Sequence, residues 1–530
     1  AAIDRPLDDG MGEHGATIRE RALTSIDQLV RWVPRAGRNR LYSMMESRPD
    51  WVLSRQRAWG VPLTCFMRRL PNGEVELLRD EAVNARIVEA FRAEGADAWY
   101  ADGAKERFLA GRNDADQWEK VDDILDVWFD SGSTHAFVMR DRPDGVWPAD
   151  VYLEGTDQHR GWFHSSLLQS CATRGRAPYK AVVTHGFTLD EKGNKMSKSL
   201  GNTVAPQDVI KQYGADILRL WVAQTDFTGD QRLGPEILKG TADSYRRLRN
   251  GFRFMLGALE GFSEEERVSP SEMPELERFV LHRLVELDEE VRRGYASFDY
   301  QGVFTRLFNL ITTELSAVYF DIRKDSLYCD APDSLRRRAV RTAMDALFQR
   351  LTTWLAPILC FTMEEVWLAR YGKGESDRET SVHLVDFVET PAEWRDDALA
   401  AKWEKIRLAR RVVNGALEQA RQDKVIGASL EAAPIVHVAD EAMAEAMESV
   451  DMAELCITSA LTILRGPVPE DAFTGEVQGA TPALGVVFAR AEGAKCARCW
   501  RILPDVGSHA HPATCARCNR VLIAAGRAAA

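Results

Sequence analysis

Thr184-His185-Gly186-Phe187-Thr188-Leu189-Asp190, running on through Lys195-Met196-Ser197-Lys198-Ser199 to Leu200-Gly201-Asn202, is the stretch that decides the reading of this chain. The apolar run Ala181-Val182-Val183 ahead of it has the make-up of a buried strand. The segment 195–199 then sets two lysines three positions apart among small hydroxyl residues. A lysine ammonium is a compact charge on a flexible stem, which suits a moving polyphosphate. Phosphoryl and adenylyl chemistry gains chiefly from positioning and from neutralising charge as it develops. A lone pair of spaced lysines reads as a solvated surface. The strand, glycine and hydroxyls around this pair make it a candidate loop for gripping a nucleotide's phosphates.

Outward from the loop, residues 50–228 alternate between two periods. Short apolar strands are expected at 60–66, 124–129, 151–154 and 181–183, with helical stretches such as 164–172 between them. Alternation of this kind predicts a parallel α/β sheet. A helix is expected upstream, over 19–30, where Ala22, Ile26, Leu29 and Val30 recur at helical spacing. From about 236 to 420 the pattern is helical throughout. Val303, Leu307, Leu310, Ile311, Ser316, Val318 and Phe320 mark one helix with a wide apolar face, and Met344, Leu347, Phe348, Leu351 and Leu355 mark the next, with Pro332-Asp333-Ser334 as its cap. Antiparallel helices joined by short loops predict a bundle. A small mixed α+β piece and a compact basic module of the last forty residues complete the chain.

A chain of 530 residues exceeds one core and implies roughly three or four domains. It is 45% hydrophobic and 28% charged, an ordinary soluble composition, and has no apolar run long enough to span a membrane. No signal peptide is read at the start, so a cytoplasmic location is expected. A net charge of -12 argues against indiscriminate nucleic-acid binding but allows local basic faces, such as Arg246, Arg247, Arg249 and Arg253. Of nine cysteines, Cys65, Cys171, Cys329, Cys360 and Cys456 are scattered and read as reduced core residues.

The other four, Cys496-Ala-Arg-Cys499 and Cys515-Ala-Arg-Cys518, form two C-x2-C knuckles fifteen residues apart. Four thiolates turned to one point suit a closed tetrahedral Zn²⁺ site, structural rather than catalytic. Such a site supplies on the order of 10 kcal/mol to a module too small to fold alone. His509 and His511 lie between the knuckles as alternative ligands, with positions near the site the preferred reading. Arg498, Arg501, Arg517 and Arg520 make an RNA-backbone contact plausible.

Taken together, these strings resemble the class I aminoacyl-tRNA synthetases. The 195–199 segment is similar to their ATP-gripping signature loop. Asp50-Trp51-Val52-Leu53-Ser54-Arg55-Gln56-Arg57-Ala58-Trp59-Gly60-Val61-Pro62 and Asp126-Val127-Trp128-Phe129-Asp130-Ser131-Gly132-Ser133 resemble strings of the Ile/Val/Leu subgroup. Leu153-Glu154-Gly155-Thr156-Asp157-Gln158-His159-Arg160-Gly161-Trp162-Phe163 resembles the isoleucyl branch most closely, as does the double knuckle of its bacterial type. The resemblance implies that Lys195 and Lys198 hold the ATP phosphates and that His185 and Gly186 approach the adenine. It implies that Glu154 contacts the aminoacyl-adenylate, and that Trp128, Asp157, Gln158 and Trp162 belong to the amino-acid site. His159 and Asp157 have an alternative reading as braces of the strand end. The expected substrates are isoleucine, ATP with Mg²⁺, and tRNA(Ile), handled by a monomer.

The family's second signature, H-x-G-H, has no counterpart among the ten histidines. The chain therefore reads as a C-terminal portion of such an enzyme, poorly active by itself. An apolar pocket separates isoleucine from valine only modestly, the isoleucyl enzymes being the familiar case, and the editing that corrects this is also expected to lie outside the chain. The expected domains are 1–49, the edge of the editing insertion; 50–235, the second half of the Rossmann-like catalytic fold; 236–425, a helical anticodon-binding domain; 426–490, an α+β junction; and 491–530, the four-cysteine zinc module. The rival readings are a non-catalytic tRNA-binding module and a valyl-tRNA synthetase.

Overall fold

The computed structural model describes residues 1–140, 142–374, 379–475 and 483–526. It divides into two compact units: Ala1–Lys195 with Phe227–Arg232, and Met196–Asp226 with Leu233–Ala530.

The frame of the first unit is a three-stranded parallel sheet in the order β1 (Arg31–Val33), β8 (Tyr179–His185), β7 (Ala149–Gly155). Tyr179, Ala181, Val182 and Val183 of the central strand are all buried, the near-continuous apolar run of a strand covered on both faces. β7 pairs with β8 from Ala149 opposite Tyr179 to Gly155 opposite His185, so both strands end at the same edge. Helices α1 (Ile18–Thr24), α2 (Ala36–Glu46) and α6 (Trp162–Arg174) bury Ala22, Leu41 and Phe163 in one core with Tyr152, Tyr179 and Val182. α1 opens on a capping box, where Thr17 Oγ1 accepts the Glu20 N–H and the Glu20 carboxylate accepts the Thr17 N–H, both at 3.1 Å. Residues 1–49 thus contribute one strand and two helices to the core of this sheet.

Between β1 and β7 the chain builds a second, smaller core. β2 (Ser54–Arg55) pairs antiparallel with β6 (Ile124–Leu125), and β4 (Val75–Leu77), β3 (Phe66–Arg69) and β5 (Glu119–Lys120) form a sheet in that order. α3 (Glu81–Glu94) and α4 (Ala104–Phe108) lie beside it, around buried Phe66, Trp99, Phe108 and Trp118. Two expected strands are corrected here. The strand read over 60–66 is formed over Phe66–Arg69 instead, since Pro62 has no N–H for a ladder and makes only an isolated bridge to Ile124. The strand read over 124–129 ends at Leu125, because the Asp126 carboxylate accepts the Trp128 N–H and starts α5 (Val127–Gly132). β9 (Thr188–Leu189) and β10 (Gln231–Arg232) form a parallel pair.

The second unit begins with α7 (Pro206–Tyr213) and α8 (Ala215–Gln224). It continues as a bundle of α9 (Pro235–Ala258), α10 (Glu275–Ser297), α11 (Tyr300–Asn309), α12 (Asp321–Cys329), α13 (Leu335–Leu355), α14 (Cys360–Tyr371) and α15 (Asp397–Gln422). α13 starts where expected, with Ser334 Oγ accepting the Arg337 N–H at 3.3 Å. Leu284, Leu307, Leu347, Phe348, Trp354 and Leu417 fill the shared core. Inside it the Glu277 carboxylate, 0% exposed, accepts two hydrogen bonds from Arg323 at 2.7 and 2.8 Å and one from the Tyr319 hydroxyl at 3.1 Å. Arg323 reaches on to Glu454 at 2.7 Å, on α17 (Met452–Cys456), which follows α16 (Glu441–Glu448). These helices pack with a mixed sheet ordered β12 (Thr462–Arg465), β11 (Ile435–Val438), β13 (Leu484–Val487). The hairpin β14 (Ala494–Lys495) and β15 (Ile502–Leu503) and the helix α18 (Ala516–Ala524) close the chain. Among the described residues no helix is long and apolar enough to cross a membrane.

Candidate functional site

The edge where β7 and β8 end together is the natural place for a ligand, as in other open parallel sheets. Glu154 and His185 stand there on neighbouring strands, with carboxylate and imidazole 3.8 Å apart and both about half exposed. Glu154 accepts the Gly155 N–H at 2.7 Å, and His185 Nδ1 lies 2.8 Å from the Gly186 carbonyl. Gly186 has no space for a side chain, since an added Cβ would stand 2.2 Å from the Gly229 main chain.

Past β7 the chain turns tightly through Thr156–His159 and enters α6. Gln158 is fixed at both ends of its amide, which donates to Asp157 at 3.0 Å and accepts the Trp162 N–H at 3.1 Å. Gly161 is where Trp128 and Gln158 meet. A Cβ there would lie 2.6 Å from the Trp128 ring and 2.7 Å from the Gln158 oxygen. Trp128 keeps 42% of its surface exposed. The Trp162 ring stacks on Tyr152 at 4.2 Å and donates to the Ser131 carbonyl at 3.1 Å. His159 is buried; its Nδ1 lies 2.7 Å from the Thr156 carbonyl and its ring stacks on Trp32. Burial holds its imidazole below the usual histidine range.

Asp126 does not stand out as a site residue in the sequence, yet it organises this corner. Its carboxylate caps α5 below Trp128 and accepts hydrogen bonds from Trp51 Nε1 at 3.1 Å and Arg55 Nη2 at 2.7 Å. One side chain therefore ties together two of the strings read from the sequence. Its place just ahead of a helix start is the available signal.

The loop of spaced lysines begins beyond β9. The Asp190 carboxylate accepts the Lys192 and Asn194 N–H groups at 3.0 and 2.8 Å, and Gly193 takes φ +85°, making a tight turn into Lys195. The Lys195 ammonium, on an exposed side chain, lies 5.8 Å from the Phe187 ring centre. The chain passes from the first compact unit to the second between Lys195 and Met196, so the two lysines belong to different units. In the second unit Ser197 N–H donates to Asn202 at 2.9 Å and Ser197 Oγ accepts the Leu200 N–H at 3.3 Å. Lys198 is exposed at the start of the turn these bonds stabilise, while Met196 packs beside buried Val209 and Trp221.

The four ligand cysteines converge. The Sγ atoms of Cys496, Cys499, Cys515 and Cys518 lie within 4.8 Å of one another, all buried. The first knuckle is the β14–β15 hairpin, closed by Cys496 N–H to the Arg501 carbonyl at 2.9 Å; the second opens α18. The Cys515 N–H donates to Cys496 Sγ at 3.4 Å. No histidine nitrogen joins this set among the described residues, and His509 pairs with Asp505 at 3.0 Å. Four soft sulfurs in a closed, buried arrangement fit structural zinc and leave no open position for chemistry. The module is fastened to the bundle by Arg517, which sits between two ligands and is paired through both terminal nitrogens with Asp325 of α12.

Three family models match the chain. That for class I tRNA synthetases (I, L, M and V) covers residues 14–234, that for the anticodon-binding domain of tRNA ligase residues 277–437, and that for the zinc finger found in FPG and IleRS residues 493–521. The chain is 66% identical over 518 residues to the isoleucine--tRNA ligase of Ruegeria pomeroyi, covering 96% of this chain and 52% of that one. It is 59% identical to that of Brucella abortus, covering 95% and 50%, and 56% identical to that of Bartonella henselae, covering 95% and 50%. The chain thus spans about half the length of the curated relatives it matches. Among solved structures, a LeuRS of Agrobacterium radiobacter in complex with tRNA and LeuAMS aligns with TM-score 0.48 at 16% identity, over 65% of this chain and 43% of that one.

Proposed function

We propose, from the premise that this chain belongs to the class I tRNA synthetases (I, L, M and V), that it provides the phosphate-gripping and tRNA-handling part of an isoleucine--tRNA ligase. The observation that carries this is the identity of 56 to 66% to isoleucine--tRNA ligases along almost the whole of this chain. The valyl reading has no such support among these relatives.

In the reaction, a carboxylate oxygen of isoleucine attacks the α-phosphorus of ATP, and pyrophosphate leaves. The 3′-terminal ribose hydroxyl of tRNA(Ile) then attacks the acyl carbon, and AMP leaves. No enzyme nucleophile is needed. Lys195 and Lys198 neutralise phosphate charge as it builds toward pyrophosphate, the term that dominates such transfers. Exposure of both side chains supports this, since an incoming nucleotide can reach them. Glu154 holds the adenylate, with His185 and Gly186 on the adenine side. Trp128, Gln158 and Asp157 orient the amino acid; the exposed face of Trp128 offers an apolar wall and the fixed Gln158 amide a polar handle. Trp162 belongs to the same amino-acid site, with its ring held in place by Tyr152 and the Ser131 carbonyl. Mg²⁺ enters with ATP. The bundle and zinc module position tRNA phosphates, with sequence read from exposed bases. The protein acts as a cytoplasmic monomer.

ATP–pyrophosphate exchange tests the reading. The chain supplied with the N-terminal half of the Ruegeria ligase is expected to exchange with isoleucine in preference to valine. Binding of tRNA(Ile) without exchange in that reconstituted mixture would instead establish the non-catalytic reading.

A further inference from the structure

Cys329 lies on α12 of the bundle, outside both knuckles, and the sequence offers it only as a core thiol. In space it packs in one cluster with Cys496, Cys499, Cys515 and Cys518. Its side chain packs next to that of Cys518 in this cluster, and its S–H lies 3.6 Å from the Arg498 carbonyl. The Arg498 guanidinium donates back to the main-chain carbonyls of Tyr328, at 3.0 Å, and Cys329. With Arg517 gripping Asp325 on the same helix, the fifth sulfur is fastened against the cluster from both sides. Zinc of this type takes four sulfurs. The fifth is left over beside the ligand sulfurs, an arrangement in which oxidation gives a disulfide.

Access is provided from the same side. Cys329 and Cys518 are 4% and 0% exposed, but an open cleft of about 390 Å³ has Cys329 and Cys499 in its wall. A molecule of the size of hydrogen peroxide enters a cleft of that volume.

We propose that Cys329 and Cys518 form an oxidative modification site, in which hydrogen peroxide joins the two sulfurs and removes a ligand from the zinc module. The Cys329 thiol gives an electron pair to peroxide; the O–O bond breaks, and the sulfur becomes a sulfenic acid with release of water. The Cys518 thiolate then attacks that sulfur and hydroxide leaves. Two thiol electron equivalents reduce one peroxide, and a dithiol reductant reverses the change. The module keeps three of its four sulfurs and holds zinc less tightly.

The test uses the zinc-loaded full chain treated with hydrogen peroxide, with peptide mapping without reduction and zinc release followed by a chromogenic chelator. The expected result is a Cys329–Cys518 cross-link as the principal product, zinc release in step with it, and recovery of both after dithiothreitol and zinc. Cys329→Ser is expected to lose the cross-link and to release zinc more slowly. Cross-links confined to the four ligands would overturn the proposal; Cys499 and Cys515, with sulfurs 3.8 Å apart, are the obvious competing pair. Equal zinc release in wild type and Cys329→Ser would overturn it as well. Should Cys329→Ser fail to fold, the wild-type peptide map alone decides.

Discussion

Replacing Glu277 with alanine isolates the buried charge at the centre of the bundle. Glu277 is 0% and Arg323 3% exposed, and two short bonds of 2.7 and 2.8 Å join them. Glu277→Ala removes both, together with the acceptor for the Tyr319 hydroxyl, and leaves a guanidinium in the core with Glu454 as its remaining carboxylate partner among the described residues. Stranding one member of a buried pair costs about 3–5 kcal/mol, because the desolvation of the other charge is no longer offset. The opening equilibrium of α10 and α12 is then expected to rise by roughly two to three and a half powers of ten. Hydrogen exchange of peptides from these helices reads it directly and does not require the whole chain to unfold in one step. The double variant Glu277→Leu with Arg323→Met removes both charges and is expected to recover most of the loss. A single-variant effect below about 1 kcal/mol, the range of an exposed pair, would refute the assignment of a desolvated pair. So would a double variant as unstable as the single one.

In the reconstituted ligase, Lys198→Ala is expected to slow ATP–pyrophosphate exchange by at least about tenfold, the loss of one charge-stabilising contact; unchanged kinetics would remove the loop's role. Gly161→Ala puts a methyl 2.6 Å from the Trp128 ring, so a raised KM for isoleucine and a loss of about 1–3 kcal/mol in stability are expected, read by exchange kinetics and thermal melting. Elemental analysis is expected to give one zinc per chain, and Cys496→Ser to lose it while weakening tRNA charging more than adenylate formation. Burial lowers His135 from 6.5 to about 4 and His164 from 6.5 to about 3. Because the unfolded chain binds those protons first, stability of the first unit should fall as pH drops from about 6.5 toward 4, and His135→Gln should flatten that part of a melting-temperature profile.

The parallel strands at 151–154 and 181–183 are legible because their residues form apolar runs bounded by turns, and α13 because its cap and helical stripe agree. β1 is not: Arg31-Trp32-Val33 is too short to show a period and gains its strand character from pairing with Ala181 to Val183. The 124–129 error has a similar source, since Asp126 is read correctly only as a cap, which composition does not announce. The zinc ligands are legible from spacing alone. Their neighbour Cys329 is not, because 167 positions separate it from Cys496 and only the bundle's fold brings the two regions together.

Arg517 stands one position before a ligand and two after another, and its guanidinium grips a helix of the bundle. Holding the ion and docking the module are consequently one thermodynamic act. A chelator added at moderate temperature should do more than strip an atom from the C-terminus: it should set the last thirty or so residues adrift from α12, and a protease would find them before it found anything else.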